Sequence, residues 1–62
     1  SVREAVVRMG CAFRDRLPPD ATLVAEIESL ESIHPHNVYA RARAALAEIP
    51  LELCGKLKAR PA

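Results

Sequence analysis

Two cysteines and two histidines are the side chains of this sequence best suited to binding a metal ion: Cys11, His34, His36 and Cys54. Two thiolates and two imidazoles are a common tetrahedral ligand set for zinc. Zinc modules usually present their ligands in closely spaced pairs, whereas each cysteine here stands alone within a helical pattern. The spacing therefore predicts no metal site and no cofactor, and it favours histidines that are hydrogen-bonded or solvated.

The same side chains offer little for catalysis. Cys11 with either histidine would pair a nucleophile with a base, and Glu28 and Glu31 lie one helical turn apart, where two carboxylates can meet. No orienting acid or oxyanion hole accompanies the first pair, and several glutamates on one helix usually form a solvated surface. We therefore predict no catalytic residue and no enzymatic activity.

Charge is balanced overall but segregated along the chain. Nine basic and eight acidic side chains give a net charge of +1, which predicts no polyanionic partner for the chain as a whole. Residues 18–34 carry four acidic side chains and no lysine or arginine, while residues 1–17 carry four arginines against two acidic side chains. This segregation indicates either intramolecular ion pairing or an exposed acidic strip for a basic partner, formed by Glu26, Glu28 and Glu31.

Prolines divide the sequence into helical segments that must position these side chains. Ser1 and Glu4 match a capping box at the start of the first segment, and apolar residues then recur at helical spacing. No strand-like alternation is present. We therefore predict a single all-α domain over residues 1–62, a small bundle of three helices plus a short fourth, with helices at about 2–16, 22–33, 36–49 and 51–59.

Membrane and secretory signals are not visible in the sequence. No segment approaches the ~18 apolar residues of a membrane-spanning helix, and no apolar core follows the basic amino terminus. We expect a cytoplasmic protein without a membrane partner. In that compartment Cys11 and Cys54 are expected to be reduced, buried thiols rather than a disulfide.

The apolar residues are numerous but small. Half of the chain is apolar, yet eleven of these residues are alanine, so few large side chains are present to offset the entropy of ordering. We therefore predict a protein–protein interaction module or accessory subunit that forms a homodimer or docks on a larger protein; a self-sufficient monomeric bundle is the alternative. The wide apolar face of the first helix is the predicted contact surface, with Val2, Val6, Val7, Met9 and Phe13.

The stretch from Thr22 to Leu46 resembles a helix-turn-helix, which makes DNA binding the alternative function. Three positions depart from the motif, because Glu28 lies where a small residue normally packs, and Glu31 and Arg41 lie at usually apolar positions. Nucleic acid is therefore the less favoured partner. The side chains that the resemblance makes available to bases and phosphates are His36, Asn37, Tyr39, Arg41 and Arg43.

Overall fold

A computed structural model describes residues 1–58, which form four α-helices and one 3₁₀ turn and contain no β-strand. The all-α prediction is confirmed, and the predicted end of the last helix at residue 59 lies outside the described residues. Within this range no helix is long and apolar enough to cross a membrane. The elements are α1 (Val2–Asp15), α2 (Ala21–Ile33), α3 (Val38–Ala44), the 3₁₀ turn (Leu46–Glu48) and α4 (Leu51–Lys58).

Side-chain caps set the starts of the first two helices. The Oγ of Ser1 accepts a hydrogen bond from the backbone N–H of Glu4 at 3.2 Å, and the Oδ1 of Asp20 accepts one from the N–H of Leu23 at 2.7 Å. Each oxygen satisfies an amide that has no partner within its helix. The predicted bounds of both helices are therefore correct to within one residue.

The third helix is shorter than predicted. A continuous helix over 36–49 is wrong, because α3 ends at Ala44 and a 3₁₀ turn follows at Leu46–Glu48. At one end Asn37 adopts a left-handed conformation (φ 56°, ψ 48°). At the other end Ile49 is extended (φ −84°, ψ 118°), as expected for a residue before a proline, so the chain leaves helical geometry ahead of Pro50.

An apolar cluster lies where α1 packs against α2 and α3, and we call it the first cluster. Ile27 and Val38 are its largest fully buried side chains. Val2, Val6, Ala12, Phe13 and Leu30 are partly buried around it. α1 therefore serves as the central helix of a three-helix core, whose buried members are Ala5, Met9, Leu23, Ile27, Val38 and Ala42.

A second cluster joins α1 to α4 through a covalent bond. Its buried members are Cys11, Ile49 and Cys54, and the two cysteines form a disulfide with their Cα atoms 5.5 Å apart. The prediction of reduced thiols is therefore wrong, because Pro50 redirects the chain and α4 packs back on α1. Val7, Ala45 and Leu57 are partly buried against this cluster.

Candidate functional site between the second and third helices

Glu31 holds the connection between α2 and α3. Its Oε1 accepts a hydrogen bond from the N–H of Asn37 at 3.3 Å, and its Oε2 accepts one from the N–H of Val38 at 2.9 Å. The Asn37 side chain makes no capping hydrogen bond. Glu31 therefore satisfies the amides of the N-cap and of the first residue of α3, from six and seven residues upstream, and its negative charge suits the positive end of the helix dipole.

These contacts lower the pKa of Glu31. The hydrogen bond from the Val38 amide is the largest cause of the lowering, and partial burial of the carboxyl group opposes it. The backbone amides of Asn37 and His36 and the charge of the His36 ring lower the pKa further. Hydrogen bonds to a carboxylate favour its ionised form. Glu31 is therefore a fixed negative charge in the connection.

The His36 ring interacts electrostatically with this carboxylate, and the His34 ring lies next to the His36 ring. The ring centroids of His34 and His36 are 5.0 Å apart, with an interplanar angle of 66°. His34 is exposed at the end of α2, and His36 is half-buried. Histidine readily accepts and donates protons near neutral pH, so Glu31, His34 and His36, which we call the Glu-His-His site, combine a charge with two proton-transfer groups.

Apolar side chains flank this site in the sequence and face outward. Ile33 is 79% exposed and Tyr39 is 42% exposed.

The three glutamates predicted to form an acidic strip do not share one exposed surface. Glu26 is half-buried, and its Oε1 lies 3.3 Å from the Nη1 of Arg8, while its Oε2 lies 3.8 Å from the amino group of Ser1. Glu31 is the cap described above, and Glu28 is exposed. Arg8 also lies 3.6 Å from the Oδ2 of Asp20, so the basic first segment and the acidic second segment pair within the chain.

Most of the predicted apolar contact surface packs inside the protein. Met9 is 2% exposed in the first cluster, and Val2, Val6 and Phe13 pack around that cluster. Val7 packs against the second cluster instead. Met9 is therefore a core residue rather than a surface residue, because the wide apolar face of α1 covers two neighbouring clusters.

The side chains proposed for DNA binding are divided between the connection and α3. His36 and Asn37 lie in the connection, and Tyr39 and Arg41 are exposed on α3. The guanidinium of Arg43 lies over the Phe13 ring, 4.7 Å from its centroid, which is the geometry of a cation–π contact. DNA binding stays a prediction.

The four candidate zinc ligands are not brought together. Cys11 and Cys54 bond to each other, so neither sulfur is a thiolate ligand. In residues 1–58 there is no group of three or more histidine, cysteine, aspartate or glutamate side chains placed to hold a metal ion.

Two arginines have tertiary roles that the sequence reasoning missed. Arg8 joins α1 to Asp20 and Glu26. Arg14 places its Nη1 3.7 Å from the Sγ of Cys54, and its Nη2 donates a hydrogen bond to the carbonyl oxygen of Leu46. The segregation of charge along the sequence indicated ion pairing of the kind that Arg8 makes. No sequence pattern indicated the contacts of Arg14.

Comparison with known proteins finds sequence similarity to part of a much longer protein. The chain is 44% identical over 57 residues to a protein from Methanoregula boonei named GTP cyclohydrolase MptA. The match covers 92% of this chain and 17% of that protein, so the chain spans about a sixth of its relative's length. No protein-family model matches the chain, and no solved structure matches it at a significant level.

This similarity overturns one prediction from the sequence. The chain was predicted to have no enzymatic activity, and that prediction is wrong because the similar protein is named as an enzyme. The prediction rested on the lack of a complete catalytic set among these residues, whereas the match covers only 17% of the similar protein.

Proposed function

We propose that this chain is a helical segment of a GTP cyclohydrolase and that the Glu-His-His site takes part in its reaction. The observation that carries the proposal is the 44% identity across 92% of the chain. Because the chain spans 17% of the relative, the proposal assigns it part of an enzyme and leaves the remaining groups to the rest of that enzyme.

The chemistry of the site suits the hydrolysis of a ring. Opening a ring with water requires a base that takes a proton from the water and an acid that gives one to the departing nitrogen. His34 and His36 provide two proton-transfer groups 5.0 Å apart. Glu31 restrains the backbone that carries His36, because it binds the two amides that follow, and fixed catalytic groups lower the entropy cost of reaching the transition state.

The exposure of the site supports docking on a larger partner. His34 is exposed and Ile33 is 79% exposed, whereas active sites usually exclude bulk water. In the proposed arrangement the remainder of the enzyme covers Ile33 and Tyr39 and thereby encloses the two histidines. In this arrangement, the protein–protein interaction predicted from the composition is the contact between this chain and the remainder of the same enzyme.

A chimeric enzyme tests the proposal. The matched segment of the Methanoregula boonei protein is replaced by this chain, and GTP consumption is followed by loss of guanine absorbance. We expect the chimera to retain activity and His34→Ala to lower kcat by about 10²- to 10⁴-fold, the usual contribution of a general acid or base. The matched control is Glu28→Gln, which alters an exposed side chain on the same helix and should leave kcat unchanged.

Two results would contradict the proposal. A folded chimera without activity would show that the segment does not perform the relative's role. An active chimera with the same kcat after His34→Ala would show that the site takes no part in the reaction.

A further inference from the structure

We propose that the Cys11–Cys54 disulfide is a site of thiol–disulfide exchange, at which a dithiol reductant cleaves the bond and releases α4 from α1. The site is separate from the Glu-His-His site and does not depend on the proposed cyclohydrolase function. Three features carry the inference: the separation of the two clusters, the weakness of α4 as an independent helix, and the placement of Arg14.

The second cluster can open without disturbing the first. The first cluster is built from α1, α2 and α3, and none of the α4 side chains that the structure describes belongs to it. α4 contributes Cys54 and the partly buried Leu57 to the second cluster. Cleaving the disulfide therefore removes the covalent cross-link between α4 and α1 and leaves the three-helix core with all of its buried members.

α4 is weak as an independent helix. It has eight residues, and isolated helices of this length are marginal in water. Gly55 lies in its middle, where glycine costs roughly 1 kcal/mol relative to alanine. Leu51 is 75% exposed and adds little burial. Local opening of α4 is therefore the route by which a thiol reaches the two buried sulfurs.

Arg14 distinguishes the two sulfurs. Its Nη1 lies 3.7 Å from the Sγ of Cys54, and its hydrogen bond to the Leu46 carbonyl oxygen holds the guanidinium there. A neighbouring positive charge stabilises a thiolate, and the sulfur that is the more stable thiolate leaves more readily. Cys54 is therefore the leaving sulfur, and Cys11 is the sulfur attacked.

The exchange proceeds in two steps. A thiolate of the dithiol attacks the Sγ of Cys11, a mixed disulfide forms there, the Cys11–Cys54 bond breaks, and its electron pair leaves on Cys54 beside Arg14. The second thiol of the reductant loses its proton and attacks its own sulfur in the mixed disulfide, which releases Cys11. The protein gains two electrons and two protons as two thiols, and the dithiol becomes a cyclic disulfide.

Reduction of the full-length chain with dithiothreitol tests the release of α4. Amide hydrogen exchange is measured before and after reduction, and the Cys11→Ser/Cys54→Ser variant is measured without reductant. We expect exchange in α4 to rise at least about tenfold both in the reduced wild type and in the double-serine variant, with α2 and α3 unchanged. Unchanged exchange in α4 would overturn the proposal, and so would an equal rise across α2 and α3.

A second experiment tests the role of Arg14. The rate of reduction by dithiothreitol is compared in Arg14→Leu, Arg14→Lys and the control Arg3→Leu, which alters an exposed arginine of the same helix. We expect a decrease of about threefold to tenfold for Arg14→Leu, a smaller decrease for Arg14→Lys and none for Arg3→Leu. A wild-type rate in Arg14→Leu would overturn the assignment of Cys54 as the leaving sulfur.

The attacked sulfur is identified directly with a monothiol. The chain is exposed briefly to 2-mercaptoethanol, quenched with acid and mapped by mass spectrometry. A mixed disulfide on Cys11 supports the assignment, and a mixed disulfide predominantly on Cys54 contradicts it.

Discussion

The two clusters of this protein are stabilised by different means. The first cluster buries six apolar residues from three helices. The second buries three residues, and two of these are the cysteines of the disulfide. Apolar burial scales with the number and size of the side chains removed from water. A covalent bond therefore supplies order where a short chain has too few apolar side chains for a second core.

The largest effect is expected from truncation in the first cluster. Ile27 is 1% exposed, and Ile27→Ala should lower the free energy of unfolding by about 3 kcal/mol through lost burial and a residual cavity. The measurement is urea unfolding followed by circular dichroism at 222 nm. The matched control Ile33→Ala removes the same atoms from a side chain on the same helix that is 79% exposed and should change stability by less than about 0.5 kcal/mol. Equal losses for the two variants would contradict this account of the first cluster.

A smaller effect is expected where α1 meets the second cluster. A Cβ at Gly10 would overlap the Cδ1 of Ile49 and lie 3.6 Å from the carbonyl oxygen of Ala42. Gly10→Ala should therefore cost about 1–2 kcal/mol, since overpacking outweighs the gain in helix propensity.

Removing the overlapping methyl tests this explanation. Valine at position 49 lacks the Cδ1 atom. In the Ile49→Val background, Gly10→Ala should therefore lower the free energy of unfolding much less than it does in the wild type. Strictly additive free energies in this double-mutant cycle would show that the Cδ1 contact is not the cause.

Ion pairing between α1 and α2 should contribute less than either cluster. Arg8 is 20% exposed and pairs with Asp20 and Glu26. Arg8→Ala should lower the free energy of unfolding by roughly 0.5–1 kcal/mol, and added salt should diminish the difference. Arg3→Ala is the control because Arg3 is exposed on the same helix. A salt-independent loss would indicate packing of the arginine stem rather than charge.

The pH dependence of stability that Glu31 causes is confined to acid pH. Because its pKa is lower in the folded protein, its contribution to stability is complete above the ordinary glutamate pKa of about 4.3 and is lost as pH falls through the lower folded-state pKa. Unfolding by urea at a series of pH values should show this decline in the wild type. Glu31→Gln should remove that part of the pH dependence; an unchanged acid profile in the variant would assign it to other carboxyl groups.

The sequence was sufficient where structure depends on neighbouring residues. Ser1 and the paired prolines after Leu17 set the bounds of α1, and apolar periodicity identified α2. The sequence was not sufficient where the structure depends on contacts between residues that are distant along the chain. The early end of α3 follows from its junction with the 3₁₀ turn, and the pairing of Cys11 with Cys54 requires α4 to fold back across a separation of 43 residues.

The candidate site was predicted only in part, because some of its contacts are local in the sequence and others are not. His34 and His36 were recognised as chemically capable residues, and their closeness follows from their spacing in the sequence. The role of Glu31 was missed because its carboxylate binds the amides of Asn37 and Val38 across the connection, where Asn37 adopts a left-handed conformation that the sequence did not predict. The similarity to a protein named as an enzyme was missed because it appears only on comparison with that much longer protein.

The disulfide also makes a closed covalent ring of the chain. Cys11 and Cys54 are 43 positions apart, so α2, α3 and the 3₁₀ turn all lie on the loop between them. A protease that cuts the exposed backbone near His34 and Pro35 would open this ring without separating its two pieces. The nicked protein would keep its mass apart from one added water, and its fragments would part only after reduction.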